Sequence, residues 1–471
     1  MNLKINTTSA KLLDEIEDEP VSPQAQYLNS SVLYLSILAV FELEIPIDDS
    51  QAFSTLENLL LPINPRFSSI MVKDEHGTPR WKRVQINLED HIKVPMFPPG
   101  LELYDDYLQE YIVKIATNRL PEDKPLWNIH IIKYPTKNAA GSLVFQLHHS
   151  LGDGFSLMTA LLHCVKRADN PSLPLTYPSN ENSQARKRGV YRFVSNFFPM
   201  CINTVKDFSW SLMMSTVMKD STTPIRSGDV GIENRPITLS TVTFSLSDIK
   251  QIKTKLKGTV NDAITGIIFY GIQLYLQAVG QEKKPAKVTA LVLLNTRATR
   301  TYLPIKEMAR HDSKVPWGNH YAFLHISVPM HKDPKNLDPL NSIEHAKKII
   351  KAKRNSLGVY LTAATLDLMR KFKGPEAVSR QLYNTLSNTS MAITSMVGPI
   401  EKVQIANHPI KSFYFAVTGS PQSLTITVIS YMGMIRVVFG AERDFINSEL
   451  LVSCMEKSFE RISEEAVGKR A

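Results

Sequence analysis

The chain has 471 residues, 43% of them hydrophobic and 21% charged, a globular composition long enough for two cores. Lys and Arg outnumber Asp and Glu by 54 to 45, and the resulting +9 suits a phosphate-bearing ligand or an anionic lipid surface. Interleaved Arg and aromatic residues, recognition-helix signatures and zinc spacings are missing, which argues against nucleic acid; Cys164, Cys201 and Cys454 stand too far apart for a disulfide framework or a metal motif.

The opening residues lead into an acidic Asp14-Glu-Ile-Glu-Asp-Glu-Pro20 and lack the apolar stretch of a secretory signal, which predicts a protein facing the cytosol. Ser31 to Phe41 is almost wholly apolar, too short to span a bilayer and suited to a buried strand. Leu101 to Leu120 carries apolar positions at helical spacing. Trp127–Tyr134 and Ser142–Leu147 read as strands separated by Pro135, Lys137, Asn138 and Gly141. A Pro/Ser/Asn-rich stretch from Asp169 to Gln184, followed by Arg186-Lys-Arg188, reads as an interdomain linker. Val190 to Met218 is then rich in Phe, Trp, Met and Leu.

The second half resumes with a strand at Leu239–Leu246, a helix starting at Ser247-Asp248 and a long apolar helix at Asn261–Val279. Thr289–Leu294 and Tyr321–Val328 read as strands, Ile343–Lys353 and Val359–Lys371 as helices. Strands at Phe413–Val417, Leu424–Tyr431 and Met434–Phe439 precede a closing helix at Ser448–Ile462. This mixture predicts an α/β (α+β) chain with domains at 1–168 and 239–471, joined by 169–238.

The sharpest chemical signal is His148-His149-Ser-Leu-Gly-Asp153-Gly154, directly after a strand. Adjacent strand side chains face opposite ways, so one histidine of the pair points into a given cavity. A neutral imidazole there can take a proton from a hydroxyl. Gly152 and Gly154 suggest a tight turn bringing Asp153 beneath the strand end, where it would pair with an arginine rather than move protons. The spacing fits no familiar zinc site.

The heptad resembles the active-site motif of the CoA-dependent acyltransferases that include chloramphenicol acetyltransferase and peptide condensation domains. Further segments resemble plant wax ester synthase/diacylglycerol acyltransferases: Glu19-Pro-Val-Ser-Pro23, Pro125-Leu-Trp127, Asn261-Asp262, Leu294-Asn-Thr-Arg297, Trp317-Gly-Asn319 and Val397-Gly-Pro399. The resemblance implies two chloramphenicol-acetyltransferase-like domains with a substrate tunnel between them, and His149 as the base that activates an acceptor hydroxyl for direct attack on an acyl-CoA thioester. It implies no cofactor, acyl-CoA entering as co-substrate, and long-chain alcohol or diacylglycerol as acceptor. His148, Asp153 and Gly154 would support the motif; Asn261, Asp262 and Arg297 would shape the site, with Arg297 the expected partner of Asp153. Thr394-Ser395 stands where family members commonly carry Ser-Asn, so a hydroxyl there would serve a developing oxyanion. The Lys250, Lys253, Lys255, Lys257 cluster reads as a solvated helix face, and Trp317 as a packing residue.

Three readings apply to Val190–Met218: a membrane-spanning helix, an interfacial helix, or a packed interdomain helix. Lys206-Asp207 in mid-segment disfavours spanning, and the upstream basic triplet favours the interface with anionic lipid. The expected location is the cytosolic face of the endoplasmic reticulum membrane, with the plasma membrane second. The rival functions are a soluble acyltransferase acting on phenolic alcohols, whose Asp-Phe-Gly-Trp-Gly motif is missing, and a non-catalytic acyl-CoA or lipid binder, which would not need a base at His149.

Overall fold

All eight residues of Ser36–Leu43 are buried, and they form the strand at the heart of the N-terminal half in the structure, a computed structural model. The structure describes residues 19–176, 190–280, 286–297, 308, 313, 315–331, 338–354 and 356–468, and of 190–199 the backbone alone. The acidic lead up to Asp18, the linker beyond Thr176 and the basic Arg186–Arg188 lie outside the described residues.

The first half runs β1 (Glu19–Pro20), α1 (Pro23–Leu28), β2 (Ser36–Leu43), β3 (Ser69–Lys73), β4 (Pro79–Arg83), β5 (Ile92–Lys93), α2 (Asp105–Thr117), β6 (Trp127–Ile132), β7 (Gly141–His148), α3 (Gly154–Cys164) and β8 (Lys166–Arg167). The second runs α4 (Val190–Thr216), β9 (Ile237–Ser245), α5 (Leu246–Lys255), α6 (Val260–Ala278), β10 (Thr289–Asn295), β11 (Tyr321–Ser327), α7 (Leu340–Arg354), α8 (Gly358–Lys373) and α9 (Pro375–Ser387). It closes with β12 (Met391–Val397), β13 (Val403–Ile405), β14 (His408–Thr418), β15 (Leu424–Tyr431), β16 (Met434–Glu442) and α10 (Ser448–Val467).

The strand expected from Ser31 begins five residues later. Ser30 Oγ accepts from Leu33 N at 3.0 Å and ties 30–33 into a turn, and the chain straightens only after Tyr34. A seven-stranded sheet, ordered β5-β6-β7-β2-β14-β13-β8, carries the N-terminal core; a six-stranded sheet, ordered β11-β10-β12-β15-β16-β9, carries the C-terminal one. The first of these corrects the sequence boundary. Its β13 and β14 come from residues 403–418, and β14 pairs with β2 from Thr418↔Ser36 to Ile410↔Leu43. An apolar strand carries no mark of which sheet it will join, so 413–417 could not be assigned from its own residues.

The C-terminal sheet is backed by α6 and α7. Gly266 lets them touch: a Cβ there would lie 2.5 Å from Ile343 Cα. The sheet also parts. β10 and β12 run parallel and pair over 290–292 and 391–393 only. Beyond that, β10 follows β11 to Asn295↔Tyr321, whereas β12 follows β15 to Val397↔Ser430.

Helix α4 is amphipathic in reverse. Its inward residues include Thr204, Asp207, Ser211, Met214 and Ser215, and its outward ones include Ile202, Val205, Leu212 and Met213. Thr204 Oγ1 accepts from Leu357 N at 2.9 Å, Ser215 Oγ meets Thr385 Oγ1 at 2.8 Å, and Asp207 pairs with Lys353 and Ser356. Of the mid-segment pair, Asp207 has its charge neutralised within the protein, while Lys206 faces outward.

Candidate active site

Strand β7 ends at His148, and its alternation separates the two histidines. The His148 ring leans on Tyr34 with centroids 4.3 Å apart. Its Nδ1 accepts from Ser150 N at 3.1 Å and faces Ser150 Oγ at 2.6 Å. Burial and the neighbouring imidazole pull its pKa down to about 3, so the His148 imidazole is neutral, with its Nδ1 engaged by Ser150.

His149 turns the other way, toward the second half of the chain. Its Nδ1 lies 2.9 Å from Asn319 Oδ1, and Asn319 Nδ2 donates to the His149 carbonyl at 3.0 Å. The second bond fixes which end of the amide faces the ring, so Nδ1 carries the hydrogen and Nε2 keeps its lone pair. The ring meets Tyr321 edge-on with centroids 5.6 Å apart. Burial lowers the His149 pKa below the ordinary histidine value, against the opposing pull of Asp153 and Asn319, so the imidazole is neutral at physiological pH. A buried, neutral, orientationally locked imidazole is the equipment of a general base.

Asp153 holds the frame around it. It is the N-cap of α3, its Oδ1 accepting from Ser156 N at 3.0 Å. Arg297 meets it with two guanidinium nitrogens, at 2.7 and 3.0 Å, and His320 N donates to it at 2.9 Å. Burial alone would raise this carboxyl; Arg297 and the backbone donors outweigh it and hold the pKa below the usual carboxylate range. Arg297 is itself spoken for, donating to Gly318 O at 2.8 Å, Ser156 Oγ at 3.0 Å and Pro316 O at 3.0 Å. These bonds clamp 316–320, the segment that carries Asn319. Asp153 thus acts on His149 through the loop that positions its partner.

The glycines work by size rather than by torsion, which corrects the turn expectation, for neither Gly152 nor Gly154 has a positive φ. A Cβ on Gly152 would lie 2.9 Å from Ser156 Cβ, and one on Gly154 would lie 2.9 Å from Met396 Sδ. Trp317 packs edge-on to Phe67 and donates its indole N–H to Leu151 O at 2.8 Å.

The remaining candidates divide. Asp262 closes a capping box with Thr259 at the start of α6, its Oδ2 accepting from Thr259 N at 2.8 Å. Asn261 meets Ser395 at 3.5 Å. On β12, Ala392 and Met396 pack with residues of the N-terminal half, and Ile393 packs in the C-terminal core. By alternation Thr394 shares the face toward His149 and Ser395 the face toward α6. The pair read from sequence as one oxyanion candidate is thereby split across the sheet. Asn319, which the sequence reading quoted without a role, is the side chain it missed. Its signal was the amide itself, able to accept from an imidazole and donate to a carbonyl at once.

Two family models match the chain: the wax ester synthase/diacylglycerol acyltransferase catalytic domain over residues 28–264, and the WS/DGAT C-terminal domain over residues 317–463. Among curated proteins, wax ester synthase/diacylglycerol acyltransferase 4 of Arabidopsis thaliana is 29% identical, across 89% of this chain and 85% of the relative. Wax ester synthase/diacylglycerol acyltransferase 6 of the same plant is 29% identical, across 95% and 94%. Among solved structures, the wax ester synthase/diacylglycerol acyltransferase from Marinobacter aquaeolei VT8 superposes with a TM-score of 0.59 at 14% identity, covering 95% of this chain and 99% of that one. A starter condensation domain of rhizomide synthetase, in complex with C8-CoA and Leu-SNAC, superposes with a TM-score of 0.56 at 11% identity, covering 98% and 97%. Both likenesses are of fold: a mixed α/β chain of two domains.

Proposed function

Because the chain belongs to the wax ester synthase/diacylglycerol acyltransferase family and is an acyltransferase, we propose that it transfers a fatty acyl group from acyl-CoA to the hydroxyl of a long-chain alcohol, with diacylglycerol as a second acceptor. The observation that carries this reading is His149, buried and neutral, with Nδ1 tied to Asn319 and Nε2 free to accept. Nε2 takes the acceptor's hydroxyl proton as the oxygen bonds to the thioester carbonyl carbon. The carbonyl electron pair moves onto oxygen, where the Thr394 hydroxyl is the side-chain donor on the right face of β12. Collapse breaks the C–S bond, and the imidazolium returns its proton to the departing CoA sulfur, giving ester and free CoA. His148, Asp153 and Arg297 touch neither substrate; Asp153 and Arg297 hold the loop. The test is ester formation by the purified protein with palmitoyl-CoA against fatty alcohols, diacylglycerol and phenolic alcohols. Turnover confined to the phenolics would overturn the lipid reading.

The expected place of action is a lipid surface, with the endoplasmic reticulum membrane first and its cytosolic side the exposed one. Support comes from the reversed amphipathicity of α4 and from α8, packed beside it, which turns Tyr360, Leu368 and Phe372 outward near Lys371 and Lys373. Among the described residues no helix is long and apolar enough to cross a membrane, so attachment would be from one side.

A further inference from the structure

The gap between β10 and β12 opens at the carboxyl ends of two parallel strands, the place where open α/β sheets take ligands. Its two lips flank the catalytic loop. On one, Asn295 pairs with Tyr321, whose ring meets His149, and Asn295 Oδ1 accepts from Arg297 N at 3.0 Å. On the other, Met396 packs where a Gly154 side chain would stand.

A cavity occupies the gap and continues between the sheet and its helices. The space between the lining atoms is about 480 Å³ with the open solvent at its mouth counted in. Its body is aliphatic: Ile264 from α6, Val292 and Leu294 from β10, Leu324 from β11, Ile350 from α7 and Val428 from β15. Leu293 lines it as well, although alternation turns Leu293 to the opposite face from its neighbours. Asn261, Thr265, Arg354 and Ser395 supply its polar groups, of which Thr265 is buried.

We propose that this gap admits the acyl chain of the thioester donor and that the cavity beneath α6 and α7 houses it; the proposal rests on the acyl-transfer reading above. A lining that is mostly aliphatic, with few polar groups, favours a hydrocarbon. Paired strands stand about 4.8 Å apart, so a gap made by losing one line of pairing is a slot for a single unbranched chain. The acyl donor brings one such chain whichever acceptor is used, whereas diacylglycerol brings two. With the chain in the slot, the thioester carbonyl stays at the mouth beside His149 and the bulky coenzyme remains outside. The residues shaping the cavity then set acyl-length preference without setting alcohol preference.

Val292→Phe fills the cavity from the sheet side. With hexadecanol as acceptor, the kcat/KM ratio of palmitoyl-CoA to hexanoyl-CoA is expected to fall at least about tenfold from the wild-type ratio. With hexanoyl-CoA fixed, the ratio of hexadecanol to hexanol is expected to keep its wild-type value. A palmitoyl-to-hexanoyl ratio within about twofold of wild type, or a shift in the alcohol ratio instead, overturns the assignment. If Val292→Phe does not fold by circular dichroism, a palmitoyl-CoA analogue with a diazirine at the chain terminus decides on the wild-type protein. Crosslinks at Ile264, Leu324 or Ile350 support the proposal, and crosslinks only outside the lining of this cavity overturn it. A wild type that labels in the cavity yet forms no ester refutes acyl transfer and leaves the cavity assignment standing.

Discussion

Replacing Asn319 by alanine separates orientation of the base from the base itself. The change removes the Oδ1 that takes the Nδ1 hydrogen at 2.9 Å and the Nδ2 that donates to the His149 carbonyl at 3.0 Å. At a net 0.5–1.5 kcal/mol per hydrogen bond, stability is expected to drop by roughly 1–3 kcal/mol, leaving a folded protein. Catalysis loses more, because a freed imidazole can rotate or move its hydrogen to Nε2, where it can no longer accept a proton. The expected loss is about 10²-fold or greater in kcat, with KM for palmitoyl-CoA little changed. The pH profile adds a sign. Activity needs neutral His149, so a lowered pKa puts the acid limb below the ordinary histidine range. The Asn319 bond favours the imidazolium, and its loss moves that limb further down. Asn319→Asp places a carboxylate beside the ring, stabilises the imidazolium and moves the limb up. The assay is initial ester formation across pH 4–9 on variants checked by thermal unfolding. An Asn319→Ala enzyme with kcat within about threefold of wild type would show that the loop does not orient the base.

His149→Ala is expected to fold and to lose at least about 10²-fold in turnover by the same assay; retention of more than a tenth of wild-type activity would remove it as the base. Asp153→Asn leaves buried Arg297 without its counter-charge, so a stability loss of about 3–5 kcal/mol and a fall in soluble yield are expected in urea unfolding. A normally stable Asp153→Asn protein lacking activity would put the carboxylate in the proton path instead. In cells, the protein is expected in the membrane pellet, weakened by high salt and released by alkaline carbonate. Release by detergent alone would mean that α4 spans, and recovery in the soluble fraction would mean that its apolar face is covered within the protein.

What was legible in the sequence was local chemistry. The heptad declared itself because its residues sit within seven positions, and Arg297 followed from the need of a buried carboxylate for a cation, although 144 positions separate the two. Asn319 was visible as a letter but not as a contact, since nothing in its neighbourhood states that a loop 170 positions away lands on the imidazole. All three readings of the α4 run make it a helix, which residues 190–216 form, but none says which face turns inward. Its polar residues pair with Lys353, Ser356 and Thr385, and only those distant partners show that the polar face is the inner one. Thr394 and Ser395 were read as one unit because neighbours in sequence look like neighbours in space, which a strand's alternation forbids.

The insertion of β14 beside β2 has a consequence for how the protein is made. Thr418 meets Ser36 across 382 positions. At ribosomal speeds of about 5–20 residues per second, β2 emerges roughly 20–80 s before the strand that covers its edge. For that interval β2, buried on both faces in the finished protein, can pair with β7 on one edge but leaves the other edge open, an invitation to pair with any other chain in reach. The N-terminal half cannot complete its sheet as it leaves the ribosome. Completion of that sheet waits for the last part of synthesis, and a chain truncated before residue 408 is expected to aggregate rather than to stand as a free domain.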